Sequence, residues 1–149
     1  MDRGEFLAAT LPRLEAADTA LHDGDPRLRI AMWSRRDPLT LFGAALSGRG
    51  WEEIGAVFER LGPRFSQCST FRYEVLAAEA SGDLGYIVGI EHTTASIDGA
   101  PPTPYRLRVT TILRREDGEW RVVHRHADPD PAGPPAEENV AVLATDPGA

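Results

Sequence analysis

The sequence has little cysteine and no long apolar run, and both features bear on the cellular compartment in which we expect the protein. The single cysteine, Cys68, cannot form an intramolecular disulfide, and a lone thiol is ordinary in a reducing compartment. No positively charged leader followed by an apolar stretch opens the chain, and no run approaches the roughly 20 apolar residues that span a bilayer. We therefore expect a cytoplasmic protein without a membrane partner.

The chain also lacks a basic surplus. Its net charge is −7, which repels the phosphate backbone of nucleic acids. The basic pairs Arg35-Arg36 and Arg114-Arg115 each lie beside acids, and we interpret them as solvated surface charge. A glycine-rich phosphate loop, a nucleophile elbow and zinc-finger spacing are missing too, which sets nucleotide-dependent and triad chemistry aside. We expect no nucleic acid, no cofactor and no metal.

Helical patterns dominate the first part of the chain. Leucines at helical spacing predict an amphipathic helix over residues 5–22. Asp25-Pro26 favours the start of a short second helix that ends near residue 33. A third helix is predicted over residues 51–61, with acidic residues at its positive end and Gly62-Pro63 after it. Between the last two helices, residues 39–43 predict one strand.

Beyond residue 65 the periodicity changes from helical to alternating, which is typical of strands. Turn signals at Ser81-Gly82-Asp83 and Asp117-Gly118, with a loop between them, divide this part into an antiparallel meander. The order of elements predicts an α+β protein with helices on one face of a curved sheet and a pocket in its concave interior. We expect residues 1–128 to form this single domain. The proline-rich acidic tail, residues 129–149, is expected to be disordered, with the apolar run 140–143 suited to docking.

Three stretches of the chain resemble the SnoaL-like proteins of the nuclear transport factor 2-like superfamily. Residues 117–128, preceded by Leu107-Arg108-Val109-Thr110, are similar to the final hairpin of that family, and residues 33–38 and 82–86 are further matches. The resemblance implies a cone-shaped α+β fold: a curved antiparallel (mixed) sheet with three N-terminal helices over its concave face, usually a homodimer through the sheet. It does not single out an activity, because the superfamily hosts isomerases, cyclases, hydrolases, oligomerisation domains and transport factors.

His124 and His126 are the first candidate catalytic residues. They lie two apart on one strand and therefore point to the same face as Trp120, which we expect to be the inward face. Histidine titrates near neutral pH and suits general acid–base catalysis. The alternative is a pair of structural histidines bonded to backbone or to Asp37.

The register of the final hairpin is open. A two-residue turn at Asp117-Gly118 places His126 opposite Val109. A three-residue loop with a glycine bulge places it opposite Arg108. We favour the bulged loop because it gathers Arg108 and Thr110 on the face of the two histidines.

Three acidic residues are further candidates. Asp37 follows the second helix, where the resemblance implies the pocket mouth, and a carboxylate beside Trp33 has a raised pKa that suits proton transfer. Aspartate before proline is equally a common turn residue. Glu91 is an internal carboxylate if it faces inward with Ile87, and exposed sheet surface otherwise. Asp18 falls on the buried stripe of the first helix; it is expected either to accept a bond from a histidine or an arginine or to lie at the edge of the stripe.

Aromatic side chains suit the lining of an apolar cavity and, equally, the packing of a core. The candidate pocket-lining residues are Trp33, Phe42, Trp51, Phe58, Phe65, Tyr86, Glu91, Arg108, Thr110 and Trp120. We expect a small apolar organic molecule in the pocket. If the protein is an enzyme, proton transfer or cyclisation on a carbonyl compound by Asp37, His124 and His126 is expected. The alternative is a non-catalytic ligand-binding or assembly module.

Two activities of the superfamily are disfavoured by particular positions. The ketosteroid isomerases carry an oxyanion donor as a tyrosine on the first helix, and residues 5–23 contain none. The epoxide hydrolases place an acid two residues after an arginine on a strand, whereas Arg108 is followed by Thr110. Polyketide cyclases need little beyond a pocket carboxylate, so that activity stays open.

Overall fold

The computed structural model describes residues 1–134 and 140–146. Within these residues there are three α-helices: α1 (Arg3–His22), α2 (Arg27–Met32) and α3 (Gly50–Leu61), the last followed by a 3₁₀ turn, Gly62–Arg64. The strands are β1 (Thr40–Phe42), β2 (Ser47–Arg49), β3 (Phe65–Ser81), β4 (Leu84–Ile97), β5 (Thr103–Glu116) and β6 (Glu119–Pro129). A second 3₁₀ turn, Val142–Ala144, lies in the C-terminal segment. No helix of the described chain is long and apolar enough to cross a membrane.

The strands form one mixed sheet in the order β2-β1-β6-β5-β4-β3. β1 and β6 run parallel, and the other neighbours are antiparallel. The helices pack on one face of this sheet, where α1 crosses β3. The predicted fold class, an α+β cone with three helices over the concave face of a curved sheet, is confirmed. Only β2 was missed, since three residues of serine, glycine and arginine carry no strand pattern of their own.

Local signals start and end the first helix. Asp2 caps α1, accepting from the Glu5 backbone N–H at 2.8 Å while the Glu5 carboxylate accepts from the Asp2 N–H at 3.2 Å. This reciprocal capping box satisfies two backbone donors that the helix leaves unpaired. Along the helix, Phe6 is fully buried and meets the Trp120 ring edge-on, with 4.9 Å between ring centroids. The contact seats α1 on the sheet and contributes to the main core.

The final hairpin closes with a two-residue turn. Asp117 and Gly118 both have positive φ, 51° and 82°, as a type I′ turn requires. Glu116 therefore pairs with Glu119, and the bulged three-residue loop that the sequence favoured is wrong. The bulge lies farther along: Leu113 pairs with Val122 but Ile112 pairs with His124, which leaves Val123 as an extra residue in β6.

The C-terminal segment returns to the open end of the cone. Val140 and Leu143 are buried there. The expectation of a disordered tail falls partly on residues 135–139 and 147–149, which lie outside the described residues.

Candidate functional site

The bulge at Val123 decides which side chains of β6 face the interior. Trp120 and Val122 point inward before the bulge, and Arg125 and Ala127 point inward after it; all four are buried. An extra residue shifts the alternation by one and moves every later side chain to the other face. The prediction that His124 and His126 share the face of Trp120 is therefore wrong.

The bulge lies where β6 changes its neighbour on the β1 side. The Ser34 N–H donates to the Val122 carbonyl at 2.9 Å, and the parallel pairing with β1 begins only at Thr40 and His124. Two separate segments thus dock on the same edge of β6, and Val123 lies between them. Long-range pairing of this kind is not visible in the local pattern of residues 119–126.

On the outer face the two histidines meet Phe42. The Phe42 ring centroid lies 5.8 Å from that of His124 and 5.5 Å from that of His126. His124 Nδ1 is hydrogen bonded to the Thr40 hydroxyl at 2.7 Å. Burial, together with His126, lowers the pKa of His124. His126 borders a surface groove, and neither histidine borders the interior cavity.

Several other predicted site residues also lie outside the cone. Arg108 and Thr110 share the outer face with the histidines, since Thr110 pairs with His126, and Arg108 makes a bidentate ion pair with Asp128 at 2.8 Å for each contact. The sequence predicted that Arg108, Thr110 and the two histidines share one face of the sheet, but it placed them on the inward face, and they lie on the outer one.

Asp37, Phe42 and Tyr86 are exposed. Asp37 lies in the link between α2 and β1, away from the interior, so the expected desolvation beside Trp33 is wrong. Phe42 and Tyr86 alternate with the buried Leu41 and Ile87 and so point outward.

Trp51 is half-buried on α3, and the Arg35 guanidinium stacks 3.5 Å above its ring centroid.

The interior instead contains four buried charged side chains. Glu91 faces inward from β4, and Arg125 donates to both of its carboxylate oxygens at 2.6 and 2.9 Å. Asp18 of α1 forms an ion pair with Arg29 of α2. Burial by itself raises the pKa of Glu91, but the surrounding groups, chiefly Arg125, together hold that pKa below its ordinary value. The four charges sum to zero, which is how buried charges are normally accommodated.

A histidine and a tyrosine lie beside this cluster. His22 Nδ1 contacts the Asp18 carbonyl at 2.7 Å and Nε2 contacts the Tyr105 hydroxyl at 2.5 Å. Because a carbonyl only accepts, Nδ1 carries the proton and Nε2 accepts from Tyr105. Burial lowers the pKa of His22 to about 4 and raises the pKa of Tyr105. Both side chains are therefore neutral at pH 7.

These polar groups form one end of a cavity of about 60 Å³ between α1, α3, the sheet and the C-terminal segment. His22, Arg29, Tyr105 and Arg125 border its polar end. The rest of the wall is apolar, and includes Leu41, Val57, Phe58, Phe65 and the loop at residues 43–46. Val140 and Leu143 of the C-terminal segment also border it.

Of the residues predicted to line a pocket, Phe58 and Phe65 border this cavity. Trp33 borders a smaller void of about 20 Å³ behind Arg29, and Trp120 lies in the core beside Phe6. Glu91 faces inward, which is one of the two placements that the sequence left open. It does not border the cavity itself but binds Arg125, which does.

Four residues of the cavity's polar end were missed by sequence reasoning. His22 had a usable signal, since it follows Asp18 by four residues on the buried stripe of α1. Arg125 was not singled out, because regular alternation without the bulge places it on the face opposite to His124 and His126. Arg29 and Tyr105 had no distinguishing signal, because a charged residue on a short helix and an aromatic on a strand are ordinary surface and core features.

A curved mixed sheet, covered by helices on its concave face and enclosing a cavity, defines an α+β cone of the nuclear transport factor 2-like kind. The family model of the SnoaL-like domain matches residues 14–128, and the chain belongs to that family. Family and fold together support a ligand-binding or isomerase-like domain. No curated protein matches the chain.

Solved structures with the same fold include a ketosteroid isomerase-like protein from Erwinia carotovora atroseptica, 19% identical, with a TM-score of 0.67 over 83% of this chain and 95% of that one. An NTF-2 like protein of unknown function from Shewanella oneidensis is 14% identical, with a TM-score of 0.64 over 81% and 97% of the two chains. A putative Ca/calmodulin-dependent kinase II association domain from Exiguobacterium sibiricum is 13% identical, with a TM-score of 0.64 over 84% and 94%. At these identities the likeness concerns the fold alone.

Proposed function

We propose that this protein binds a compact, largely apolar organic molecule with a carbonyl oxygen in its interior cavity, without transforming it. The observation that carries the proposal is the cavity itself, whose apolar walls converge on four buried polar side chains. A concave apolar site with a few convergent polar groups is typical of small-molecule binding. Its volume of about 60 Å³ is well below the roughly 300–1,000 Å³ of drug-sized pockets, so the ligand is compact.

Binding is favoured over proton transfer because the bases near the cavity are already bonded. A general base needs a lone pair within hydrogen-bond reach of the substrate proton. Both oxygens of Glu91 accept from Arg125, and both ring nitrogens of His22 are occupied. Asp18 is paired with Arg29.

Isomerase or cyclase chemistry is the second candidate, and the His22–Tyr105 pair favours it. His22 is neutral and borders the cavity. A ligand oxygen that accepts the Tyr105 hydroxyl proton in place of His22 leaves Nε2 available as a base. A pKa of about 4 makes it a weak one.

One experiment separates the two candidates. 2-Pentanone, a compact neutral ketone, is titrated into isotope-labelled protein while NMR shifts are followed. Ala45→Trp fills the cavity from the 43–46 loop, and Ala56→Trp, on the exposed side of α3, is the matched control. We expect saturable shifts in the wild type and in Ala56→Trp that Ala45→Trp abolishes. Equal shifts in all three proteins contradict binding in the cavity.

The same samples in D₂O report on catalysis. We compare the rates at which hydrogens next to the ketone carbonyl exchange for deuterium. Equal rates with the wild type and with Ala45→Trp support binding alone. Faster exchange with the wild type supports proton transfer instead.

We further propose that two copies associate through the outer face of the sheet. That face presents large exposed apolar side chains, of which Phe42, Leu76, Leu84 and Tyr86 are between 39% and 59% exposed. A groove beside Leu76 is bordered by Val88, Ile90 and His126. Contiguous exposed apolar surface of this kind is typical of an interface.

A further inference from the structure

Two guanidinium groups form the charged part of the cavity wall. Arg29 and Arg125 are only 8% and 9% exposed, and both border the cavity. Their carboxylate partners are set back: Asp18 borders the smaller void behind Arg29, and Glu91 borders neither space. Because His22 and Tyr105 are neutral, the charge presented to a ligand is positive although the whole cluster is neutral.

The two arginines differ in how completely they are paired. Arg125 fills its two-pronged donor fork with the Glu91 carboxylate. Arg29 contacts Asp18 through a single nitrogen, Nη2, and within residues 1–134 and 140–146 its side chain donates no other hydrogen bond. The Phe58 ring, 5.5 Å from the Arg29 guanidinium carbon, covers another side. Nη2, the Arg29 nitrogen that meets Asp18, is fully buried. Nε and Nη1 donate no hydrogen bond within the described residues, so these two groups are the donors available for a ligand.

We propose, building on the proposed binding function, that the ligand is a short organic carboxylate whose anionic group accepts hydrogen bonds from Arg29 beside Arg125. A guanidinium presents parallel N–H donors that match the two oxygens of a carboxylate, and such charge-assisted bonds are about twice as strong as neutral ones. The hydrocarbon part of the ligand packs against Leu41, Val57 and Phe58. A neutral amide of the same shape offers one acceptor and repels the guanidinium with its NH₂ group.

The test compares pentanoate with pentanamide, which have the same shape and differ in charge. Both are titrated at pH 7 into the wild type and followed by NMR shifts, with the Arg Nε–H signals as a direct readout. The binding variant is Asp18→Asn with Arg29→Met, which removes both charges of the buried pair together. Arg108→Met, an arginine with a bidentate partner on the outer face, is the control.

In the wild type and in Arg108→Met we expect pentanoate to bind at least about tenfold more tightly than pentanamide, the effect of one charge-assisted hydrogen bond. In the double variant we expect pentanoate and pentanamide to bind with about equal affinity. If the double variant does not fold, Arg29→Lys replaces it: the charge stays but the fork is lost, and we expect a preference between these two values.

Three results overturn the inference. Equal affinity for the two probes in the wild type rejects the anion preference but leaves cavity binding intact, provided that Ala45→Trp abolishes both. A pentanoate preference that survives in the double variant, or in Arg29→Lys at full strength, rejects the role of Arg29. No cavity-dependent binding of pentanoate, pentanamide or 2-pentanone rejects the proposed binding function together with this inference.

Discussion

At the scale of single residues, His22 shows how burial determines protonation. It is 4% exposed, its ring lies 4.5 Å from the Phe65 ring centroid, and each ring nitrogen has one partner. Desolvation is the largest influence on its pKa and lowers it; Glu91 raises it by a smaller amount. The folded chain therefore keeps this imidazole neutral, and its protonation at low pH opposes folding.

The low pKa of His22 leads to a prediction about the pH dependence of stability. The pKa of His22 falls from 6.5 to about 4 on folding, so between these values the unfolded chain binds a proton that the folded chain does not. The stabilisation is present above pH 6.5 and is lost as pH falls toward 4. We expect the wild-type free energy of unfolding to drop by about 3 kcal/mol more than that of His22→Gln across this window.

Urea unfolding at several pH values measures this difference. His126→Gln is the control, because His126 is exposed on the outer face. The control should follow the wild type. Parallel pH dependences for the wild type and His22→Gln contradict a buried, neutral His22.

At the scale of elements, Arg64 holds the C-terminal segment at the cavity by several hydrogen bonds. Arg64, in the turn after α3, has a side chain only 3% exposed. It makes a bidentate ion pair with Asp98 at 2.9 and 2.7 Å and donates to the carbonyls of Val142, Leu143 and Thr145. Because Val140 and Leu143 border the cavity, Arg64 connects one part of the cavity wall to the end of α3.

Replacing this arginine tests the link. Arg64→Met removes the hydrogen bonds to the segment, and we expect a loss of about 1–3 kcal/mol of stability together with faster amide hydrogen exchange in residues 140–146. Hydrogen exchange followed by mass spectrometry of the C-terminal peptide measures the change. Arg60→Met is the control, since the Arg60–Asp146 ion pair is exposed and is worth about 0–1 kcal/mol. Unchanged exchange in Arg64→Met contradicts the role of Arg64.

At the scale of the whole molecule, the sheet separates two surfaces with different chemistry. The concave face holds the paired charges and the cavity, whereas the outer face carries the histidines, Phe42 and exposed aliphatic side chains. Two bulges, one at Val123 and one beside Leu76, each add a residue to a strand. After each bulge, the alternation of inward and outward side chains is shifted by one residue. The proposed ligand binding and the proposed association therefore concern opposite sides of the same strands.

The proposed dimer is tested by one charge on the outer face. Leu76 is 59% exposed beside its bulge, and a stable interface buries about 800 Å² on each partner. We expect light scattering to give twice the chain mass of 16.2 kDa for the wild type and a single chain mass for Leu76→Asp. Leu28→Asp, at a 50% exposed position on α2, should remain dimeric. A wild type with the mass of one chain contradicts the dimer.

The sequence by itself determined the elements whose signals are local. Leucine spacing predicted α1, the alternating pattern predicted the long strands, and Asp117-Gly118 predicted the last turn, because helix periodicity, strand alternation and turn geometry depend on a few neighbouring residues. The resemblance of residues 117–128 to a known hairpin then pointed to the family and its cone-shaped fold.

Tertiary structure decided which residues meet inside the cone. Val123 forms a bulge between two distant segments that dock on β6. Because of this extra residue, Arg125 faces the cavity, and His124 and His126 face outward. The partners in the buried charge cluster come from different elements: Asp18 meets Arg29 across two helices, and Glu91 meets Arg125 across the sheet. Such pairings depend on long-range packing, and a shift of one residue reverses the face of a strand. The sequence therefore determined the fold, and only the folded chain determined the site.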